Sequence, residues 1–392
     1  MITVDEAKAL ISQNINILTT ITKSIAEASG HTLANDLYAG LDIPAFQQSS
    51  MDGYALRYAD NSKPLKVSGE MAAGTPVPLA LKEAECARIF TGAPLPNDAD
   101  TVVMQEKVTV VDGTMTVHDQ NLHKGSNVRD KGAEIRKGAL AMKKRSYLSP
   151  AAIGFLAGIG IDEVEVTRLP IVSIIVTGKE LCKPGTAIGF GQVYESNSYS
   201  LSAALRNQGI QNTKIFDADD DLKILTNVLE AALGESDVVL LTGGVSVGDY
   251  DFVIEASKNC GVKQIFHKVK QKPGKPLYFG KHGDKLVFGL PGNPSSVLSC
   301  YYNYVLPAIE QLSGKPTLNK QMKATLTQAY TKPAGLTHFL KGKYEGGLVT
   351  PLSAQESFRL SSFAEANCLI RLNESQEHFE AGETIVILPL QD

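Results

Sequence analysis

The chain has few cysteines and no spacing of cysteine or histidine that is typical of a zinc site. None of the cysteines forms a C-x-x-C pair, and the histidines include no H-x-H and no H-E-x-x-H. The five cysteines are Cys86, Cys182, Cys260, Cys300 and Cys368. An odd number at such wide spacing argues against a disulfide framework. Any bound metal is therefore expected to be a hard cation held by oxygen atoms.

Long apolar segments and a surplus of basic residues are also missing. The longest apolar run covers only residues 151–161, whereas a membrane-spanning helix needs roughly 20 residues. The first residues lack the basic and apolar regions of a secretory signal, and 42 acidic residues face 38 basic ones. The sequence therefore predicts no membrane partner and no nucleic-acid partner, and it favours residence in the cytoplasm with reduced thiols.

The pattern of the sequence changes several times along its 392 residues. A helix is predicted over 3–38, where Thr3 and Glu6 form a capping-box pattern, and another over 146–159. Short strands between Gly, Pro and Asp turns are predicted from 65 to about 118. We expect a discontinuous linking domain (1–38 and 134–167), an inserted β-rich domain (39–133), an α/β domain (168–314) and a C-terminal β domain (315–392).

The α/β domain is predicted from apolar strands that alternate with helical segments. Strands are predicted at 171–176, 214–216, 237–241, 263–269 and 285–288. Helices are predicted at 198–208, 220–233, 251–259 and 294–312. Repeated strand–helix units indicate a mostly parallel sheet with helices on both faces.

Two glycine-rich turns each follow a predicted strand and precede a predicted helix. They are Thr242-Gly-Gly-Val-Ser-Val-Gly248 and Leu290-Pro-Gly-Asn-Pro-Ser-Ser296. Glycine lets the backbone approach an anion closely, and turns at the carboxyl ends of parallel strands meet in one crevice. Neither turn matches the GxxxxGK[ST] or GxGxxG patterns. An ordinary tight turn would explain one such segment, but the second favours a phosphate or oxyanion site.

Charged side chains are predicted near these turns. Lys270, Lys272 and Lys275 lie on a loop stiffened by Pro and Gly, where their ammonium groups either bind an oxyanion or remain a solvated surface. Acidic residues are expected at the same sheet edge: Glu180, Asp219, Asp220, Asp221, Asp249 and Asp251. Paired carboxylates suit Mg²⁺, and helix capping by Asp219 or Asp220 is an equally good interpretation.

Six segments, taken together and in order, resemble the motifs of one family across nearly the full chain. They are the segments 50–55, 90–96 with 100–106, 191–197, 242–248, 272–276 and 291–294. On these residues the sequence is similar to the MoeA/gephyrin E-domain family, the molybdopterin molybdenumtransferases. The resemblance implies that the two N-terminal loops, at 50–55 and 90–96, carry function, although by spacing alone they look like ordinary turns.

The resemblance implies the last step of molybdenum cofactor synthesis. Molybdate is inserted into adenylylated molybdopterin and AMP is released with Mg²⁺. It also implies a MogA/MoaB-like central sheet, a C-terminal β-barrel-like domain and an elongated homodimer whose cleft is shared by both subunits. Transient contacts with the molybdopterin adenylyltransferase and with apo-molybdoenzymes are further expected partners.

Site residues follow from the resemblance position by position. The implied catalytic residues are Asp52, Thr91, Glu180, Asp219 and Asp251, of which Glu180, Asp219 and Asp251 would bind Mg²⁺. The implied substrate-binding residues are Gly243, Gly244, Ser246, Gly248, Lys272, Lys275, Pro291, Gly292, Asn293, Pro294, Ser296 and Lys341. Lys341 stands where the family often has Arg, and Lys179 stands where it often has an acid.

Two other functions remain open from the sequence. An adenylyltransferase that uses ATP to modify molybdopterin would share only the α/β domain, and the N-terminal loops argue against it. A scaffold of the same fold would keep the architecture without the chemistry. Neither alternative predicts AMP release that depends on molybdate, and the sequence does not distinguish molybdate from tungstate.

Overall fold

The computed structural model describes residues 1–211, 213–245, 252–316 and 321–390. These residues form two compact units. The first unit contains 1–34, 145–149 and 164–392, and the second contains 35–144 and 150–163. The division into four domains at the expected boundaries stays a prediction.

The first helix begins as predicted but ends much earlier. Helix α1 spans Val4–Gln13, and the Thr3 hydroxyl accepts a hydrogen bond from the Glu6 amide at 3.2 Å while the Glu6 carboxylate accepts one from the Thr3 amide at 2.7 Å. The prediction of helix up to residue 38 is wrong, because Thr20–Ser24 forms strand β1 and pairs with the strand at Glu163–Thr167. This segment is rich in β-branched residues, which favour strands.

The second unit contains a six-stranded sheet, and this confirms the predicted β-rich character of its sequence. The strands of this unit are β2 (Leu37–Tyr38), β3 (Gln48–Ser49), β4 (Gly53–Leu56), β5 (Leu65–Met71), β6 (Glu85–Ile89), β7 (Thr101–Met104), β8 (Val108–Val111), β9 (Thr114–Val117), β10 (Val128–Arg129) and β11 (Leu140–Met142). Strands β2 and β11 form one two-stranded sheet, and β3 and β10 form another. The order of the six-stranded sheet is β7-β4-β6-β5-β9-β8. Helix α2 (Pro150–Gly158) confirms the helix predicted over 146–159, although it begins four residues later than predicted.

The central part of the first unit is the predicted α/β sheet. Its elements are β12 (Glu163–Thr167), β13 (Val172–Thr177), β14 (Leu181–Cys182), β15 (Val193–Tyr194), α3 (Asn197–Asn207), β16 (Lys214–Ala218), α4 (Leu222–Glu235), β17 (Val238–Thr242), α5 (Val253–Asn259), β18 (Lys263–His267), β19 (Gln271–Lys272), β20 (Tyr278–His282), β21 (Lys285–Leu290), α6 (Pro294–Cys300) and α7 (Leu306–Leu312). A π-helical turn at Tyr301–Val305 joins α6 to α7.

The strand order of this sheet places the carboxyl ends of four parallel strands side by side. The order is β16-β13-β17-β21-β20-β18. The first four strands are parallel, and β20 is antiparallel to both of its neighbours, so β18 runs in the same direction as the first four. Every residue of β13 and β17 is buried, as expected for strands covered by helices on both faces. The mostly parallel sheet is therefore confirmed, and β20 is an additional strand that the sequence pattern did not predict.

The C-terminal part of the first unit is a closed sheet. Its elements are β22 (Met322–Leu326), β23 (Tyr330–Thr331), β24 (Thr337–Glu345), β25 (Leu348–Pro351), α8 (Ser361–Glu365), β26 (Cys368–Leu372), β27 (His378–Phe379) and β28 (Thr384–Pro389). The order β24-β25-β22-β28-β26 closes through pairing of β24 with β26. Strand β19 pairs with β24 in parallel, which attaches the Lys272 loop to this barrel.

A bidentate ion pair joins the starts of the central strands. Both terminal nitrogens of Arg168 contact the Asp237 carboxylate, at 2.6 and 2.7 Å, and the Ile171 amide donates to the same carboxylate at 2.8 Å. Burial alone would raise the pKa of Asp237, but these hydrogen bonds and the Arg168 charge outweigh it and hold the pKa below its usual value. The pair is mostly shielded from water, since the two side chains are 27% and 18% exposed.

We expect Asp237→Asn to lower the free energy of unfolding by about 2–3 kcal/mol at pH 7, because the change leaves the Arg168 charge without its partner. A carboxyl with a depressed pKa stabilises the fold above its unfolded-state pKa, and this contribution is lost as the pH falls through the folded-state pKa. The difference between the two proteins should therefore shrink below about pH 4. Urea unfolding at several pH values measures this, with the exposed Asp162→Asn as control; a difference that is independent of pH would contradict the assignment.

All five cysteines are free thiols, and none is paired in a disulfide. Within the described ranges, no helix has the length and apolar character needed to cross a membrane.

Candidate active site

The two glycine-rich turns meet at the carboxyl edge of the central sheet, as the sequence predicts. The Gly243 amide donates to the Leu290 carbonyl at 3.2 Å, and a Cβ on Gly292 would lie 3.8 Å from the Gly243 Cα. Gly243 has φ +89°, and a Cβ there would lie 2.6 Å from the Thr177 hydroxyl. The backbone therefore needs glycine at position 243, both for its conformation and for its close approach to β13.

A cavity of about 720 Å³, the first cavity below, opens between these turns. Its lining includes Thr177, Gly178, Glu180, Glu195, Asn197, Asp220, Thr242, Gly243, Gly244, Pro291, Gly292, Asn293, Pro294 and Phe358. A volume of this size accommodates a cofactor-sized molecule. Of the predicted substrate-binding residues, Gly243, Gly244, Pro291, Gly292, Asn293 and Pro294 lie on its wall.

Two polar oxygens in the wall of the first cavity have no hydrogen-bond partner in the described part of the chain. They are Oδ1 of Asn197 and the hydroxyl of Thr242, whose residues are 8% and 1% exposed. The Asn197 amide nitrogen donates to the Gly292 carbonyl at 2.9 Å, which fixes the orientation of this side chain. Because buried polar atoms are normally paired, these oxygens indicate that a polar ligand completes the site.

Glu180 and Asp220 are the carboxylates that line the first cavity together with Glu195. The Glu180 side chain folds over Gly178, so that a Cβ at Gly178 would lie 2.8 Å from both carboxylate oxygens. Asp220 accepts a hydrogen bond from the Lys179 amide at 3.4 Å. Glu195 is occupied differently, because it accepts bonds from the amide and hydroxyl of Ser198 in the first turn of α3.

Asp219 lies on a different wall from Glu180. It lines a second cavity of about 850 Å³, together with Lys179, Tyr199, Arg206 and other residues. The helix cap of α4 is Asp221, which accepts hydrogen bonds from the amides of Lys223 and Ile224 at 2.9 Å. The interpretation of Asp219 or Asp220 as the cap is therefore wrong, and both carboxylates remain available at the sheet edge.

The predicted lysine loop packs along α6. A Cβ at Gly274 would lie 2.5 Å from the Cys300 sulfur and 3.6 Å from the Ser296 carbonyl oxygen. Lys272 and Lys275 are exposed, and neither lines the first cavity, although Pro276 does. Ser296 is 3% exposed and also lies outside the cavity wall. The backbone of this loop thus lies close to Ser296, the last residue of the second glycine-rich turn.

His338 lies beside this loop and carries no charge at neutral pH. It occupies the position on β24 that pairs with Lys272 on β19. Burial, together with the charges of Lys332 and Lys272, lowers the pKa of His338 to about 4. The positive charge at this point of the surface therefore belongs to the lysines.

Lys341 is buried and contacts the backbone of a loop, and its predicted contact with substrate stays a prediction. It is 2% exposed, and its ammonium group donates to the carbonyls of Ala354, Glu356 and Arg359 at 2.8, 3.4 and 3.2 Å. Three carbonyl acceptors use all three donors of an ammonium group. The loop that Lys341 fixes contains Ser357, which accepts a hydrogen bond from Asn293. Lys341 therefore acts on the first cavity indirectly, by holding this loop.

Asp52 and Thr91 form a hydrogen-bonded pair in the second unit. The Asp52 carboxylate accepts from both the amide and the hydroxyl of Thr91 at 2.8 Å. These bonds, with the charge of Arg88, lower the pKa of Asp52. Arg88 is itself held in place, because its guanidinium lies over the rings of Tyr54 and Phe90 and donates to the Gly53 carbonyl at 3.3 Å.

Several predicted site residues lie outside the described residues, namely Ser246, Gly248, Asp249 and Asp251. In the part of the chain that the structure does describe, no cluster of three or more His, Cys, Asp or Glu side chains could hold a metal ion. The described donors at the first cavity are carboxylate, amide and hydroxyl oxygens. This donor chemistry fits a hard cation such as Mg²⁺, which takes one or two carboxylates and completes its shell with water and substrate oxygens.

Three family models match consecutive parts of the chain. Residues 2–160 match the MoeA N-terminal region (domain I and II), residues 173–311 match a probable molybdopterin binding domain, and residues 323–390 match the MoeA C-terminal region (domain IV). The chain belongs to the MoeA family. The resemblance predicted from the six sequence motifs is thereby confirmed.

Full-length relatives in the MoeA family support the same conclusion. Proteins named molybdopterin molybdenumtransferase from Staphylococcus aureus and Haemophilus influenzae are each 33% identical to this chain, covering 99% of it and 95% and 98% of their own lengths. A molybdopterin biosynthesis MoeA protein from Pyrococcus horikoshii is 30% identical in sequence. Its structure superposes with a TM-score of 0.84 over 100% of both chains. The predicted multidomain α/β fold is confirmed by this match.

Several residues that line the first cavity were not assigned to the site from the sequence, among them Thr177, Thr242, Asn197 and Phe358. Thr177 and Thr242 end buried strands, Asn197 begins α3, and Phe358 lies on the loop that Lys341 fixes. Asn197 was detectable, because it ends the 191–197 segment that carries part of the MoeA resemblance. No local signal marks Phe358, because its position depends on the packing of the C-terminal barrel beside the central sheet.

Proposed function

We propose that this protein is a molybdopterin molybdenumtransferase that inserts molybdate into adenylylated molybdopterin and releases AMP. The observation that carries the proposal is the first cavity, where two glycine-rich turns, two unpartnered oxygens and the carboxylates of Glu180 and Asp220 converge. The full-length relatives named molybdopterin molybdenumtransferase support the same activity.

The residues of the first cavity suggest how the substrate is held. The backbone of Gly243, Gly244 and Gly292 allows a phosphate group to approach closely, since no side chain intervenes. Oδ1 of Asn197 accepts a hydrogen bond from a donor on the substrate, and the Thr242 hydroxyl donates or accepts one. This arrangement orients the phosphoanhydride against the two carboxylates, and orientation of this kind is a large part of catalysis of phosphoryl transfer.

Mg²⁺ is the metal that we propose for this site. Glu180 and Asp220 would contribute its described ligands, and the sequence adds Asp219 and Asp251 as candidates. A bound Mg²⁺ polarises phosphate oxygens and offsets the charge that develops on the leaving AMP. The carboxylates of this chain would hold the metal, while the glycine turns hold the phosphates.

Molybdate is a doubly charged oxyanion and needs cationic contacts. We propose that the exposed ammonium groups of Lys272 and Lys275 attract it to the edge of the first cavity. The Asp52–Thr91 pair is proposed to serve the same reaction in a homodimer, in which the active site takes residues from both subunits. Cytoplasmic residence and transient contacts with the adenylyltransferase and apo-molybdoenzymes belong to the same proposal.

The test measures AMP release from adenylylated molybdopterin with Mg²⁺, with and without molybdate. Release that depends on molybdate is the expected result, and Lys275→Ala should raise the molybdate concentration needed for half-maximal rate, with the exposed Lys343→Ala as matched control. Consumption of ATP with molybdopterin would instead indicate an adenylyltransferase. If no AMP is released under any condition, the result would favour a scaffold that keeps the fold without the chemistry. Tungstate in place of molybdate measures the preference between the two oxyanions.

A further inference from the structure

Helix α1 carries a lysine on its buried face. Val4, Ala7 and Ile11 are the buried residues of this helix, and Lys8 lies on the same stripe, four residues after Val4. Lys8 has no hydrogen bond or ion pair with any residue that the structure describes. Burial, with a smaller effect of the Arg371 charge, lowers the pKa of Lys8 to about 8. A shielded ammonium group without a partner is costly, so its retention at this position points to a ligand.

Lys8 faces a cavity of about 530 Å³ between α1 and α7, here called the α1–α7 cavity. Two more cations, Arg145 and Lys315, line it, and no aspartate or glutamate does. Its other walls include Ile11, Tyr304 and Pro307. The carboxylates of Asp5 and Glu310 act on Lys8 and Lys315 from outside the wall, so two acids face three cations. The lining itself is positively charged, and such a recess attracts an anion. None of its lining residues lines the first cavity.

The turn between α6 and α7 aims a polar side chain into this cavity. Pro307 has no N–H to give to the Asn303 carbonyl, and the helix widens into a π-helical turn where the Leu306 amide donates to the Tyr301 carbonyl. Asn303 is 1% exposed and lines the cavity, and its amide nitrogen donates to the Ser299 carbonyl at 2.9 Å. Its Oδ1 has no hydrogen-bond partner within the described ranges. This oxygen is therefore free to accept a hydrogen bond from a donor group on a ligand.

The other two cations keep free binding capacity. Lys315 is 8% exposed and donates one hydrogen bond, to the Gln208 carbonyl at 2.9 Å, which leaves two of its three donors. Arg145 has φ +67°, and its amide is bonded to the Leu33 carbonyl. This unusual backbone conformation is fixed by the bond to residue 33. Its guanidinium has no partner among the described residues.

We propose that the α1–α7 cavity binds a small organic anion that carries a carboxylate or phosphate group together with a hydroxyl group. The charged group binds to Lys8, Arg145 and Lys315. Asn303 Oδ1 accepts a hydrogen bond from the hydroxyl group. The apolar wall of Ile11 and Pro307 packs against the carbon skeleton of the ligand. This site is separate from the proposed transferase reaction and does not depend on it.

Calorimetric titration of the full chain with three probes tests the proposal. Citrate offers carboxylates and a hydroxyl, tricarballylate is the same acid without the hydroxyl, and glycerol 2-phosphate offers a phosphate with hydroxyls. We expect citrate or glycerol 2-phosphate to bind, and the preferred one identifies the charged group. Lys8→Met should weaken that binding by at least ~10-fold, which corresponds to about 1.4 kcal/mol, because one charge-assisted contact is lost. The exposed Lys66→Met serves as matched control.

Further measurements test the anion site independently of the proposed transferase function. Citrate should bind more tightly than tricarballylate, and Asn303→Leu should remove that difference. Lys8→Met should melt no lower than the parent protein and should leave AMP release unchanged. If no probe binds, or if Lys8→Met binds the probes as tightly as the parent protein, the site is not an anion site. Loss of AMP release in every variant, controls included, would bear on the proposed function and not on this cavity.

Discussion

Replacing Glu180 by glutamine is expected to slow AMP release by about 10²–10³-fold. The change removes one of the two carboxylates, those of Glu180 and Asp220, that we propose as Mg²⁺ ligands in the first cavity. A well-placed metal ion stabilises the charge of the transition state by several kcal/mol. Each 1.4 kcal/mol of lost stabilisation slows the reaction by about tenfold. Glutamine keeps the size of the side chain, and Gly178 still leaves space beneath it. The loss should therefore come from the charge and not from a rearranged cavity.

A dependence on magnesium separates this role from a structural one. If Glu180 helps to hold Mg²⁺, the Mg²⁺ concentration needed for half-maximal release rises in Glu180→Gln, while the melting temperature stays unchanged. Glu230→Gln, at an exposed position on α4, is the matched control and should behave like the parent protein. A Glu180→Gln protein within threefold of the parent rate would remove this carboxylate from the reaction.

Much of the central sheet could be predicted because its signals are local. Strands β13 and β17 are mostly apolar and are buried at every residue. Strand β1 shows where local signals fail. Its sequence follows a helix with a correct capping box, but its structure depends on pairing with β12, about 140 residues later in the chain.

The positions of the glycines in the candidate site could be predicted from the sequence, but the contacts of its charged side chains could not. Gly243 and Gly292 must approach neighbouring backbone, and that requirement is visible in the sequence as glycine. The three consecutive aspartates 219–221 look alike in sequence, yet one caps α4 and the other two face different cavities. Lys341 looks like an oxyanion ligand, but three carbonyls of a folded loop bind its ammonium group. Both outcomes depend on tertiary packing, which a single sequence does not show.

The Gly53→Ala change is expected to destabilise the second unit by about 3–5 kcal/mol, which would lower its melting temperature by about 10–15 °C. Strand β4 lies between β6 and β7, and Gly53 pairs with Ile89 and Met104. A Cβ at Gly53 would lie 1.9 Å from the Val103 carbonyl oxygen and 2.9 Å from its carbon. These are backbone atoms of a paired strand, so no side-chain rotation relieves the clash.

To relieve the clash, β4 must shift. This shift would also move Asp52, which directly precedes Gly53 and accepts two hydrogen bonds from Thr91. Gly154→Ala is the matched control, since nothing lies within 4 Å of a Cβ at this helical glycine of the same unit. Alanine there should leave the melting temperature unchanged or raise it, because it is the better helix former. Calorimetric melting of both variants measures the difference. Equal melting of Gly53→Ala and the parent protein would mean that β4 and β7 do not pair in this register, and the Asp52–Thr91 contact would then lose its structural basis.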